Sequence, residues 1–294
     1  MTTTLNRQSD EWDVPLGGLT NQLRQVFVRN HIEVAVAEIR FIRACDEIAE
    51  PDAAAIWDRL GPQRFPIFEP HKQQTVNVAI SPEGAQQSAE VQEGWLLATG
   101  DRATAITLLP SSVVVQTQAY EHYSHSIGEF VSTVLPAFAE VTGAARVQRL
   151  GMRYINRLTD ADAIRPDFWG DRIEPSFASP LRGPFANRVV GQHQQVQLQL
   201  AEAGARIQSG LLPVLGRTSR FDYLVDLDVF LEQTRNYEAT WCANQMRQLN
   251  RTAFALFSNV LSNDYLQSLG PTEPQTEPTP ATIETPASKE RATS

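Results

Sequence analysis

The sequence predicts an α+β fold: two pseudo-duplicated β-(α)-β-β-β-α halves forming one antiparallel-sheet domain covered by two long helices. Three observations carry this. Segments of strict polar/apolar alternation recur along the chain, the period of a half-buried strand. Two longer stretches carry apolar residues at helical spacing, and each follows a set of strands. The first half also repeats in the second. Ile39-Arg40-Phe41-Ile42 aligns with Met152-Arg153-Tyr154-Ile155, and "HKQQTVNVAI" from His71 aligns with "HQQVQLQL" from His193. A connected antiparallel sheet with helices on one face is a standard layered solution to burying one face of each element.

Residues 1–30 read as an N-terminal arm with a short helix near Thr20 to Phe27. The first strand is "EVAVAEIRF". Further strands follow in "HKQQTVNVAI" and "TAITLLPSSVVVQTQAY". The first long helix runs from about Ser126 to Val141 with Ile127, Phe130, Val131, Val134 and Phe138 as its apolar stripe. Ser126 and Glu129 have the spacing of a capping box, which satisfies free N–H groups in the first turn. The second half opens with "RLGMRYINRL" and passes through "HQQVQLQL" and "FDYLVDLDVFLE". It ends in a helix from about Asn236, a good N-cap residue, to Ser262. Trp241, Met246, Leu249, Ala253, Leu256, Phe257 and Val260 form its packing stripe. The main domain thus spans 31–268. Residues 269–294, dominated by Pro, Thr and Glu, have too little apolar surface to offset their ordering entropy and read as a disordered tail.

The chain has 294 residues and a net charge of −9. That acidity argues against a general nucleic-acid partner. Lys72 and Lys289 are the only lysines, so chemistry that needs a lysine amine has almost no candidate. Cys45 and Cys242 are too few and too far apart for a zinc motif or a disulfide framework, and both read as buried free thiols. The N-terminus lacks a signal-peptide core and no apolar run approaches a membrane span, so a cytoplasmic location is expected. No Walker-type loop, G-x-S-x-G, H-E-x-x-H or dinucleotide fingerprint occurs. The chain therefore offers no catalytic residues, no metal ligands and no cofactor. His122 and His125 stand three apart at a helix start and read as capping or surface residues.

One pattern does suggest a site. On a strand, Arg149, Arg153 and Arg157 share a face, while Leu150, Met152, Tyr154 and Leu158 share the other. In "FDYLVDLDVF" Asp222, Asp226 and Asp228 likewise point away from Tyr223, Val225, Leu227 and Val229. If the two strands are neighbours, the charges form a cross-strand ladder worth roughly 0.2–1 kcal/mol per pair. The sharper reading adds Glu38 and Arg40 of the first strand. The eight residues would then line a polar sheet face that grips phosphate or carboxylate through arginine, or a divalent cation through "VDLDV". In that form the face faintly resembles the triphosphate-tunnel enzymes, which hold anionic substrate and metal inside a sheet barrel.

"EVAVAEIRF", "FPIFEP", "RLGMRYINRL" and "YLVDLDVF" before a long helix together resemble a sporadically distributed family of uncharacterised bacterial proteins. Its strand motifs are E-[IV]-R-F, R-x-G-[LM]-R-Y-[IV]-N-R and [LV]-D-[LI]-D. Arg149, Gly151, Arg153, Tyr154, Asn156 and Arg157 match the middle one, while Glu38, Arg40, Asp226 and Asp228 fit the other two. The first strand departs from the family, whose members often precede it with a Pro-rich phrase. The resemblance spans residues 31–265; it supports the architecture and carries no reaction. The expected function is a non-enzymatic binding or interaction protein that engages a protein partner. The alternative is a small anionic-ligand sensor or a metal-dependent phosphohydrolase using the Arg/Asp face.

Overall fold

The computed structural model describes residues 26–42, 45–81, 84–214 and 220–272; side chains are described at all of these except 26 and 75–90. One nine-stranded antiparallel sheet organises them. Its strands are β2 (Ile32–Phe41), β3 (Ile67–Ser81), β4 (Gly84–Ala98), β5 (Thr104–Leu109), β6 (Ser112–Thr117), β7 (Arg146–Leu158), β8 (Gln192–Gln199), β9 (Gly204–Val214) and β10 (Arg220–Asn236). The order is β3-β4-β5-β6-β2-β7-β10-β9-β8. A separate two-stranded ribbon pairs β1 (Val26–Phe27) with β11 (Pro271–Thr272). The helices are α1 (Glu50–Leu60), α2 (Glu129–Thr142), the short α3 (Pro175–Ala178), α4 (Ala239–Val260) and α5 (Asn263–Ser268).

The alternation in the sequence becomes two unlike faces. Ala35, Ala37, Ile39 and Phe41 of β2, Leu150, Met152, Tyr154 and Leu158 of β7, and Tyr223, Val225, Leu227 and Val229 of β10 are buried. They form one core with Val131, Val134 and Phe138 of α2 and Met246, Leu249, Ala253 and Leu256 of α4. Each large apolar side chain so buried contributes about 1.5–3 kcal/mol. The opposite faces of these strands carry the charges.

The halves repeat in topology. Outward from the centre run β2-β6-β5-β4 on one side and β7-β10-β9-β8 on the other. β2 and β7 are antiparallel neighbours in which Glu38 is the Cα partner of Gly151. The alignment of Arg40 with Arg153 also equates Glu38 with Gly151, so a local twofold passes through that pair.

Several expectations need correction. The first half has an extra strand: β3 lies outside β4, so "HKQQTVNVAI" and "HQQVQLQL" are not in equivalent places although both are sheet edges. β4 pairs with β5 only through Trp95–Ala98, while Gly84–Gly94 pairs with β3 alone, so the hairpin projects beyond its neighbour. Gly94 sits at that departure. A Cβ there would lie 2.0 Å from the carbonyl oxygen of Leu108, so only glycine permits the approach. Ser126 and Glu129 make no capping box. The chain enters α2 through a π-turn, Ser124–Gly128; the Ser126 hydroxyl accepts from the Glu121 N–H, and Glu129 instead binds Arg64 at 2.7 Å. Asn236 is not an N-cap, because β10 continues through it opposite Arg146 and Glu238 precedes the first turn of α4. Phe27 belongs to a strand rather than a helix, while 20–25 of that expected helix lie outside the described residues. The fold also extends past 268: Gly270 takes a positive φ of 72° and turns the chain so that Pro271 and Thr272 pair with β1. The rest of the tail, 273–294, lies outside the described residues.

Candidate functional site: the charged face of the sheet

The eight residues singled out from the sequence, Glu38, Arg40, Arg149, Arg153, Arg157, Asp222, Asp226 and Asp228, stand on one face of the three central strands β2, β7 and β10. Register decides how they pair. Asp228 is directly opposite Arg153, Leu224 opposite Arg157 and Glu232 opposite Arg149. Strand side chains lean along the strand, so each arginine reaches diagonally. Arg153 grips Asp226 in a two-pronged contact, Nε to Oδ1 at 2.9 Å and Nη2 to Oδ2 at 2.7 Å. That bond holds the Arg153 guanidinium above its ordinary pKa. Arg157 Nε donates to Asp222 at 2.8 Å, and Arg220 Nε donates to the other oxygen at 3.1 Å. Asp222 is wholly buried, so these two cations replace its solvent.

Arg149 reaches farthest. Its side chain lies back across Gly151, where a Cβ would meet Nη1 at 2.4 Å. From there Nη1 donates to Glu38 at 2.5 Å and Nη2 to Asp228 at 3.3 Å, while Cζ stands 5.0 Å from the centre of the Phe230 ring. Glu38 also accepts from Arg40 Nε at 2.9 Å. The small residue two places after Arg149 is therefore a requirement of the charge network. The buried face of the same motif is held as well: the Tyr154 hydroxyl donates to Asn250 Oδ1 at 2.8 Å, and Asn156 Nδ2 donates to the Val225 carbonyl at 3.1 Å.

Across this face lies a hollow of about 550 Å³. Glu38, Arg40, Arg149, Arg153 and Asp228 line it, and so do His71 and Gln73 of β3, Thr107 of β5 and Gln116 of β6. Arg157, Asp222 and Asp226 belong to the charged face but not to the hollow. A flat sheet encloses no volume, so the sheet is concave here, with its helices on the convex side. His71, Gln73, Thr107 and Gln116 were missed in the sequence. Their one signal is that they fall on polar positions of alternating strands, as do many residues that simply face solvent.

The chemistry of the face follows from the pairing. Arg149, Arg153 and Arg157 each already hold a carboxylate, and Asp222, Asp226 and Asp228 each already hold a guanidinium. The face is balanced rather than electropositive. Among the described residues no group of three or more His, Cys, Asp or Glu is placed to hold a metal ion. His122 and His125 serve a turn, with the His125 N–H donating to His122 Nδ1 at 3.2 Å. Cys242 is buried, and burial pushes its thiol up to about 11; Cys45 is half-buried, and neither forms a disulfide. Among the described residues no helix is long and apolar enough to cross a membrane. Neither the family models nor the curated proteins compared with the chain give a match.

Proposed function

We propose that the chain is a binding module without catalysis, and that its concave sheet face receives a polar segment of a protein partner carrying charges of both signs. The observation that supports this is the internal pairing of the arginine row. A site built for a polyphosphate leaves guanidinium donors free to grip it; here an incoming anion has to compete with Asp226, Asp228 and Glu38 for each one. A peptide bearing both signs can add to such a network without stripping it. Arg40 and Arg153 are the contact points, with about half of each side chain still exposed. The hollow is also broad enough to follow an extended chain across several strands. The triphosphate-tunnel reading and the metal-dependent phosphohydrolase reading have less support, because both need unpaired charge in the hollow. Arg206, opposite Asp228 on β9, has a buried Nε without a hydrogen-bond partner among the described residues but does not line it. In this proposal the R-x-G-x-R-Y strand shared with the resembled bacterial family is what builds the module.

A phage-displayed random peptide library selected on the wild-type protein tests the proposal. Selection should enrich peptides containing both acidic and basic residues, and Arg40→Glu with Arg153→Glu together should weaken their binding at least tenfold. Enriched peptides that bind the double variant equally well overturn the proposal. So does pyrophosphate binding to the wild type in a calorimeter with no peptide enriched at all.

A further inference from the structure

On the opposite side of the sheet, between the start of β2, the middle of β7 and α4, lies a second cavity of about 100 Å³ with an open mouth. Its walls are mainly apolar and aromatic, including Phe27, Tyr120, Tyr154, Phe254 and Phe257. Phe27 and Phe254 stack with centroids 5.9 Å apart, and Tyr120 meets Tyr154 edge-on at 5.4 Å. Polar residues also reach it, with Arg29, Asn30, Glu121, His122 and Asn156 in the lining, and two further polar groups there lack partners among the described residues. Asn250 is 5% exposed, and its Oδ1 accepts from the Tyr154 hydroxyl at 2.8 Å. Its Nδ2 then has no hydrogen-bond partner among the described residues. His31 Nε2, on the same wall, is also buried without one.

A buried donor left unmade costs about 1–3 kcal/mol, and native proteins rarely tolerate two in one place without an occupant. A water could answer the polar atoms but would leave the aromatic wall empty. An enclosed apolar cavity of about 150 Å³ accepts a benzene-sized ring; this one is about 100 Å³ but open at its mouth, so a single ring enters with part of it outside. Here the ring has to bring an acceptor for Asn250 Nδ2 and a second polar group for His31 Nε2. Burial and the neighbouring Arg29 hold the His31 imidazole below its ordinary pKa, which favours a neutral ring that brings no positive charge to hold an anion. The Arg29 guanidinium at the rim is engaged by the Ser268 carbonyl and hydroxyl.

We infer that this cavity is a binding site for a small, neutral, single-ring amide, its ring against Phe27, Phe254 and Phe257 and its carbonyl on Asn250 Nδ2. The site is independent of the partner-binding face and can stand if that reading fails.

Benzamide and uracil serve as probes, with toluene and benzoate as controls, read by ligand-observed NMR and titration calorimetry on the full chain. At least one amide should bind saturably at one site per chain, and more tightly than either control. Asn250→Asp keeps an acceptor for Tyr154 but removes the free donor, and should weaken binding at least tenfold. Ala253→Leu fills the cavity from α4 and should abolish binding while the protein stays folded by circular dichroism. It decides the matter if Asn250→Asp does not fold. No binding of either amide overturns the proposal, and so does binding unchanged in Ala253→Leu. Toluene binding as well as the amides removes the polar recognition, and benzoate binding more tightly makes the site one for acids; each of these also overturns it.

Discussion

Replacing Gly151 by alanine should destabilise this protein even though alanine is the better residue for a strand. In a strand interior the change alone is worth about 0.5–1 kcal/mol in favour of alanine. The added methyl, however, falls 2.4 Å from Arg149 Nη1 and 3.0 Å from Cζ. The guanidinium is the movable partner, so it swings away and gives up Glu38 and Asp228. Hydrogen bonds to charged groups are worth about 1.5–3 kcal/mol each. Arg149 is only 13% exposed, but Glu38 and Asp228 are 19% and 22% exposed, so solvent repays part of the loss. The net cost is about 1–2 kcal/mol. In an Arg149→Ala background nothing remains to displace, and Gly151→Ala should become neutral or stabilising by about 0.5–1 kcal/mol. The coupling between the two sites is then about 1–3 kcal/mol, as expected for residues in contact. Urea unfolding of the four proteins measures it through the midpoint at constant m. Equal effects of Gly151→Ala in both backgrounds would refute the reasoning, since the guanidinium would then not depend on the missing side chain.

Three further outcomes are expected. Arg153→Ala should cost about 2 kcal/mol in urea unfolding, more than an exposed pair and less than a buried one, because the cation is half-solvated while Asp226 is 8% exposed; Arg153→Leu with Asp226→Leu should recover most of it. With its thiol near 11, Cys242 should resist iodoacetamide at pH 8 in the folded protein while Cys45 reacts, and mass spectrometry showing both modified at equal rates would contradict this. His31 is held below its ordinary value of 6.5, so the unfolded chain takes up the proton first as pH falls: its contribution is fully present above about pH 6.5 and is lost progressively below it. The midpoint of the wild type minus that of His31→Phe should therefore become more negative or less positive on acidification from about pH 7.5 to 5.5, and a change in the opposite direction would contradict this.

The alternation in "GMRYINRL" and "DYLVDLDVF" was enough to place Arg153 and Asp226 on one face and Tyr154 and Leu227 on the other, because side-chain direction in a strand is a local property of period two. Whether those strands are neighbours stayed open in the sequence, and the structure pairs β7 with β10. Local signals were weaker where tertiary contacts competed with them. Ser126 and Glu129 have capping-box spacing, yet a π-turn and Arg64 claim them; Asn236 suits an N-cap, yet pairing with Arg146 keeps it in β10. β3 was legible in "HKQQTVNVAI", but its hairpin partner β4 was not, since "GAQQSAEVQEGWLLA" carries no sustained polar/apolar alternation. Only the tertiary structure decided which carboxylate each arginine holds. That depends on register and on the lean of long side chains, and it sends the Arg149 guanidinium over Gly151 to hydrogen-bond Glu38 and Asp228 while its Nε stays 3.8 Å from Glu232 straight across. Only the tertiary structure, too, brought His71 into the hollow with Asp228 and set Asn250 and His31 around one cavity. Those contacts arise from the curvature of the sheet and the seating of α4 upon it, which are sums over the whole core and leave no mark in any short stretch of sequence.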